Sequence, residues 1–203
     1  MTTTSAKILS AIFHPLLVPT YALLILMNLQ THSILAIPVN YRYIVVAFVF
    51  LSTFVLPSII IFLLLRIGKI KSLEMRSQRE RVLPMLIIAL VFYGTYQLLK
   101  QTSLAGLITF FMMGSTMLVL ITLLINYTTK ISLHMIAWGG FLGTMLGFAI
   151  RFNYNLTYLL FSIIILIGII AAARLRLNAH SPFQIYLGFV LGTIGMASIF
   201  FLI

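Results

Sequence analysis

Aspartate and cysteine are both missing from this chain, and acidic charge is almost missing with them. Its 13 Lys and Arg residues face two acids, Glu74 and Glu80, which lie in one basic stretch. Each absence excludes chemistry. Without cysteine there is no disulfide, no thiolate metal site and no cysteine nucleophile. Without aspartate, transferases that hold Mg²⁺ through Asp-rich motifs cannot be built. A proton-coupled carrier relying on carboxylates inside its spans is not expected, because such relays need Asp, Glu or His there. Two glutamates and four histidines in separate places make a poor zinc set. Neither a metal nor a cofactor is therefore expected. Charge of any sign is scarce, at 7% of residues against about 25% in soluble domains.

What fills the chain is apolar. Of its 203 residues 62% are hydrophobic, and the mean hydropathy is +1.18. Runs of about 20 apolar residues cross a bilayer as helices, and the pattern reads as an integral membrane protein, an all-α polytopic bundle of six or seven spans. Segment 1 runs from about Ile8 to Leu29 and holds His14-Pro15 and Pro19, so a kink or a partly re-entrant path is expected. The first ten residues lack a signal-peptide layout, and segment 1 is expected to be retained. Segment 2 is Tyr43 to Ile67. A polar loop, Gly68 to Arg81, carries Lys69, Lys71, Arg76, Arg79 and Arg81.

Segment 3 opens near Val82-Leu83-Pro84, with Pro84 in a first helical turn, and ends at Lys100. Segment 4 is Leu104 to Tyr127, with Ser103 as its cap. Segment 5 runs from Ser132-Leu133-His134 to Ile150, and Gly139-Gly140, Gly143 and Gly147 place small residues where another helix can approach closely. Segment 6 is Leu156 to Ala173 and segment 7 is Phe183 to Ile203. Short connections make this one domain, 1–203.

Segment 7 has a legible start. Ser181 fits the N-cap, Pro182 the first helical residue and Gln184 the third, the Ser-x-x-Gln capping box. His180 then precedes a helix N-terminus, where backbone N–H groups favour an anion. Parity links three polar sites. The 68–81 loop precedes segment 3, Ser132–His134 opens segment 5 and His180 opens segment 7, so two crossings separate each from the next and all three share one membrane side. That side holds Lys7, Arg66, Lys69, Lys71, Arg76, Arg79, Arg81, Lys130, Arg174 and Arg176; the other holds Arg42, Lys100 and Arg151. The positive-inside rule then makes the site side cytoplasmic.

Arginine and histidine gathered on one face point to phosphate chemistry, because guanidinium binds phosphate oxygens in pairs and two imidazoles can divide nucleophile and acid roles. Arg174-x5-His180-x3-Gln184 resembles the third motif of the type 2 phosphatidic acid phosphatase superfamily, Ser-Arg-x5-His-x3-Asp. Ser132-Leu133-His134 resembles its second motif, Ser-Gly-His. The 69–81 loop occupies the place of its first motif, Lys-x6-Arg-Pro. The motif-bearing core runs from about 69 to 203.

The resemblance implies that family's helical fold and a metal-independent phosphatase acting through a phosphohistidine. In it, His180 is the nucleophile, His134 the acid, and Gln184 the residue that orients His180. Arg174 and Ser132 bind phosphate, jointly with Arg76, Arg79 and Arg81. The implied substrate is a lipid phosphate or polyprenyl diphosphate, with membrane lipids as the other partners, no nucleic acid, and the bacterial inner membrane as location.

Departures are several. Ala173 stands for serine, Leu133 for glycine, Gln184 for aspartate and Ser77 for proline, while Pro84 follows Leu83 instead of arginine. Loss of an orienting carboxylate costs about 10⁴ in rate in serine proteases, so the alternative is a degenerate relative that binds anionic headgroups or acts as a membrane scaffold. Blander readings stand beside each residue: Arg174 and Arg176 snorkelling to headgroups, Gln184 only capping, His134 only interfacial, and the 69–81 loop only anchoring. His14, His32 and Trp138 read as structural.

Overall fold

The computed structural model describes residues 1–29, 37–75, 77–102 and 106–201. Helix is the only regular secondary structure among them. The helices are α1 (Thr3–Ile12), α2 (Val18–Leu26), α3 (Val39–Arg66), α4 (Gln78–Lys100), α5 (Gly106–Asn126), α6 (Leu133–Arg151), α7 (Thr157–Arg176) and α8 (Pro182–Ile199). Counting α1 and α2 as one broken stretch, seven are long and apolar enough to cross a membrane. The chain is an integral membrane protein with up to seven spans.

Sequence and helix boundaries differ where polar residues extend an apolar run. Segment 3 begins at Gln78, because Ser77 caps it, its side chain accepting from Glu80 N–H at 3.3 Å. Gln78 to Arg81 then form the first turn, and Pro84 lies inside the helix rather than at its start. The resulting 23 residues measure about 34 Å at 1.5 Å each, enough for a span. Segment 6 likewise continues past Ala173, so Arg174 and Arg176 belong to the last turn of α7, where cations complement the helix dipole. Ser103, the expected cap of segment 4, lies outside the described residues.

The structure clusters into two compact units, Pro19–Leu123 and Met1–Val18 with Leu124–Ile203. In the first, α3 carries a π-helical turn at Leu51–Val55 just before Pro57. Arg42 ties the end of α2 to the start of α3, donating from Nε to Ile37 O at 2.9 Å and from an Nη to Met27 O at 3.1 Å. Arg81 is buried at 6% exposure and donates to Met75 O at 3.0 Å.

The second unit is built on α6, the most buried span of the seven at 72% of its apolar window. Its core is Met135, Trp138, Met145 and Phe148. Against it lies α8, and glycines on both helices set the separation. A Cβ added at Gly139 would stand 2.5 Å from Phe189 O, one at Gly188 3.0 Å from Ser132 O, and those at Gly143 and Gly192 closer still to Thr193 O and Ile136 O. The small residues expected to admit another helix do so, and the helix is α8. Ser132 N–H reaches Gln184 O at 3.5 Å, so the two helices run parallel with their N-termini together. α7 returns between them in the chain and α1 packs on α7.

Candidate functional site

Two helix starts and one helix end converge in this unit. α7 ends in a Schellman motif: Asn178 takes the left-handed conformation at φ 49°, its N–H bonds Leu175 O at 2.9 Å, and Ala179 N–H bonds Arg174 O at 3.2 Å. Asparagine tolerates that conformation better than most residues, and the motif stops α7 where Arg174 faces back into the unit. Two residues later Ser181 caps α8 with the full capping box: its side chain accepts Gln184 N–H at 3.4 Å while Gln184 Oε1 accepts Ser181 N–H at 3.2 Å. The tight turn between these two caps fixes His180, which is 8% exposed.

The His180 ring is oriented by two oxygens. Its Nδ1 lies 3.1 Å from Gln184 Oε1 and 3.2 Å from Lys130 O. The amide of Gln184 cannot be reversed without losing the bond from Ser181 N–H, so both partners of Nδ1 are acceptors. Nδ1 therefore carries the hydrogen, and in the neutral ring the lone pair sits on Nε2. Gln184 caps its helix and orients His180 with the same oxygen.

His134, in the first turn of α6, is held by a different element. Its Nε2 lies 3.0 Å from Ser10 O, an acceptor only, so Nε2 carries the hydrogen and Nδ1 the lone pair. Arg174 donates to Ser10 Oγ at 3.2 Å. One residue of α1 thus holds two of the expected site residues. Ser132 is fully buried at 0% exposure; as N-cap of α6 it makes no side-chain cap bond, and its Oγ has no hydrogen-bond partner. A hydroxyl buried that way is costly.

His14 enters this cluster without a sequence signal for it. Its ring stands edge-on to His134 with centroids 5.9 Å apart. A break between α1 and a short 3₁₀ turn, Pro15–Leu17, places it there: His14 is extended at ψ 137° and its Nδ1 accepts from Leu16 N–H at 3.4 Å. Trp138 Nε1 donates to Phe13 O at 3.0 Å, and the Phe13 and Trp138 rings meet edge to face at 5.4 Å. His134 and Trp138, four residues apart on one face of α6, together cap the carbonyls at the end of α1.

No family model, no curated protein and no solved structure matches the chain. What the cluster can do follows from its own groups. Arg174, His134, His180, Ser132 and Gln184 share one unit, and that unit contains no acidic residue in its sequence. Its fixed donors and positive helix ends suit an anion with several oxygens, and phosphate fits that description. The 76–81 arginines belong to the other unit. There, Arg79 is exposed, Arg81 is buried against Met75 O, and Arg76 lies outside the described residues, as does His32.

Proposed function

We propose that the chain is a metal-independent membrane phosphatase, a divergent relative of the type 2 phosphatidic acid phosphatases, acting on a lipid phosphate or polyprenyl diphosphate in a bacterial inner membrane. The observation that carries this reading is the pair of acceptors on His180 Nδ1, which leaves Nε2 as the nucleophilic nitrogen. Arg174 and Ser132 Oγ supply donors for the phosphate oxygens, and the N-termini of α6 and α8 add backbone N–H groups.

In the proposed reaction His180 Nε2 attacks phosphorus, an N–P bond forms and the bond to the lipid oxygen breaks. The leaving oxygen takes a proton from His134. Because Nε2–H of that ring is held by Ser10 O, the donated proton is one that His134 must first bind at Nδ1, as the phosphate brings its negative charge into the site. Water then attacks phosphorus and passes a proton to Nδ1 of His134 as the N–P bond breaks, which releases inorganic phosphate and restores both rings. Gln184 gives His180 its tautomer but no full negative charge, so the expected rate is low. The test is phosphate release from lipid phosphates by purified protein in chelator, which His180→Ala should abolish; an unchanged rate in that variant would remove His180 from the nucleophile role.

A second reading, an anion-binding protein without turnover, is favoured by the neutral Gln184 and by the commitment of His134 Nε2–H to Ser10. It expects headgroup binding lost in Arg174→Ala, with no phosphate release at any protein concentration.

A further inference from the structure

We propose that Ser10, on the first helix, is a positioning residue of the phosphate site: its hydroxyl sets the Arg174 guanidinium while its carbonyl holds the His134 ring. The inference rests on the phosphate reading above and extends it to an element that the motif-bearing core lacks. Both contacts are direct. Ser10 Oγ accepts from an Nη of Arg174 at 3.2 Å, and Ser10 O lies 3.0 Å from His134 Nε2. That hydroxyl is used differently from those of the buried spans. Thr116, Thr122 and Thr144 bond the carbonyl four residues back, as helical hydroxyls commonly do, whereas Ser10 Oγ reaches across to α7. Apolar packing does little to set the register of α1. Ile8 and Ile12 are 55% and 51% exposed, and Ala6, one turn before Ser10 on the same face, is the buried residue of the helix. Polar bonds tie its end instead, these two and the one from Trp138 Nε1 to Phe13 O. What the hydroxyl does for binding follows from the shape of arginine. Guanidinium grips phosphate through two N–H groups in one plane. A guanidinium whose plane is set before the ligand arrives loses less freedom on binding.

The competing role for Ser10 is to join α1 to α7 with no bearing on the ligand, and paired substitutions separate the two. Ser10→Ala removes the hydroxyl but keeps the main-chain carbonyl on His134, and alanine favours a helix. Ser10→Thr returns the hydroxyl. Arg174→Lys keeps a cation without the planar fork and supplies the second arm of a double-mutant cycle. The full chain, purified in detergent, is titrated by calorimetry with inorganic phosphate and, in parallel, with a short-chain soluble phosphatidic acid.

The expected result is binding by the wild type, about three- to tenfold weaker binding in Ser10→Ala, and binding within about twofold of wild type in Ser10→Thr. In the Arg174→Lys background, Ser10→Ala should change affinity by less than about twofold. Where Arg174→Lys binds too weakly to titrate, the comparison of Ser10→Ala with Ser10→Thr decides alone. The same ratios are expected on both ligands; binding of the lipid alone would assign part of the affinity to its tail and leave the ratios to decide. If Ser10→Ala binds like wild type while Arg174→Ala does not, the phosphate site stands and Ser10 only joins two helices. The inference also fails if Ser10→Ala and Ser10→Thr weaken binding alike, or if Ser10→Ala costs as much beside Arg174→Lys, because the effect then does not pass from hydroxyl to guanidinium. If the wild type binds neither ligand, the phosphate reading falls and the inference falls with it.

Discussion

At the residue scale the question is what one oxygen, Gln184 Oε1, does for His180. It accepts from Ser181 N–H and from the imidazole together, so its two roles are separable only by a substitution that keeps its position. Gln184→Glu does so: it retains the capping geometry and adds the missing charge. Phosphate release should rise by about tenfold or more in that variant, a fraction of the roughly 10⁴ associated with an orienting carboxylate elsewhere. A fall in rate with an intact melting curve would mean that a neutral partner is required. Ser132→Ala tests the buried hydroxyl from both directions. Removing a hydroxyl without a partner should leave stability unchanged or raise it by about 1 kcal/mol, while phosphate affinity drops. Stability lost instead would show that the hydroxyl serves the ligand-free fold.

His180 and Gln184 were legible in the sequence because their relation is local, one residue before a cap and three after it. His14 was not. Its neighbour His134 is 120 positions away, and the only local trace of its placement was Pro15, which marks a kink without saying what the kink faces. Arg174 was legible by spacing to His180, but its bond to Ser10 had no sequence counterpart.

At the scale of elements the site depends on how closely α6 and α8 approach. Gly143→Ala should destabilise by about 1–3 kcal/mol, the usual cost of forcing a methyl group into a packed contact, and should lower phosphate affinity as the two N-termini separate. Gly168→Ala is the control: no atom lies within 4 Å of a Cβ at that position on α7, so the change should be neutral or stabilising by up to about 1 kcal/mol. Melting temperatures in detergent check both, and equal effects would contradict the packing account. Glycine spacing announced this approach before the partner helix was known. Boundaries were read less well. Ser77 and the polar turn Gln78 to Arg81 extend α4 beyond its apolar run, because a cap and good helix formers outweigh the onset of hydrophobicity.

At the scale of the whole molecule, the helix count was legible from apolar runs alone. Parity placed Ser132–His134 and His180 on one side, and the bond from Ser132 N–H to Gln184 O brings them together. Helices of 19, 20 and 18 residues measure about 27–30 Å each, the thickness of a hydrocarbon core. The absence of cysteine makes the topology testable with single introduced thiols. Thr128→Cys and Arg176→Cys should react with an impermeant maleimide from the same side, the cytoplasmic one by positive-inside counting, and Tyr158→Cys from the other. Labelling of all three from one side would overturn the crossing pattern. The contribution of the first apolar stretch was out of reach of sequence, since nothing along the chain relates Ser10 or His14 to α6 and α7.

The central claim is that His180 Nε2 forms a bond to phosphorus. Acid-stable and base-stable linkages differ, and phosphohistidine survives base but not acid. Purified protein incubated in chelator with a lipid phosphate labelled in its phosphoryl group, then quenched in base and separated from lipid, reports that bond directly. Wild type should retain label in an acid-labile form, and His180→Ala should retain none. Equal labelling of both proteins, or release of phosphate by His180→Ala at the wild-type rate, would contradict the account.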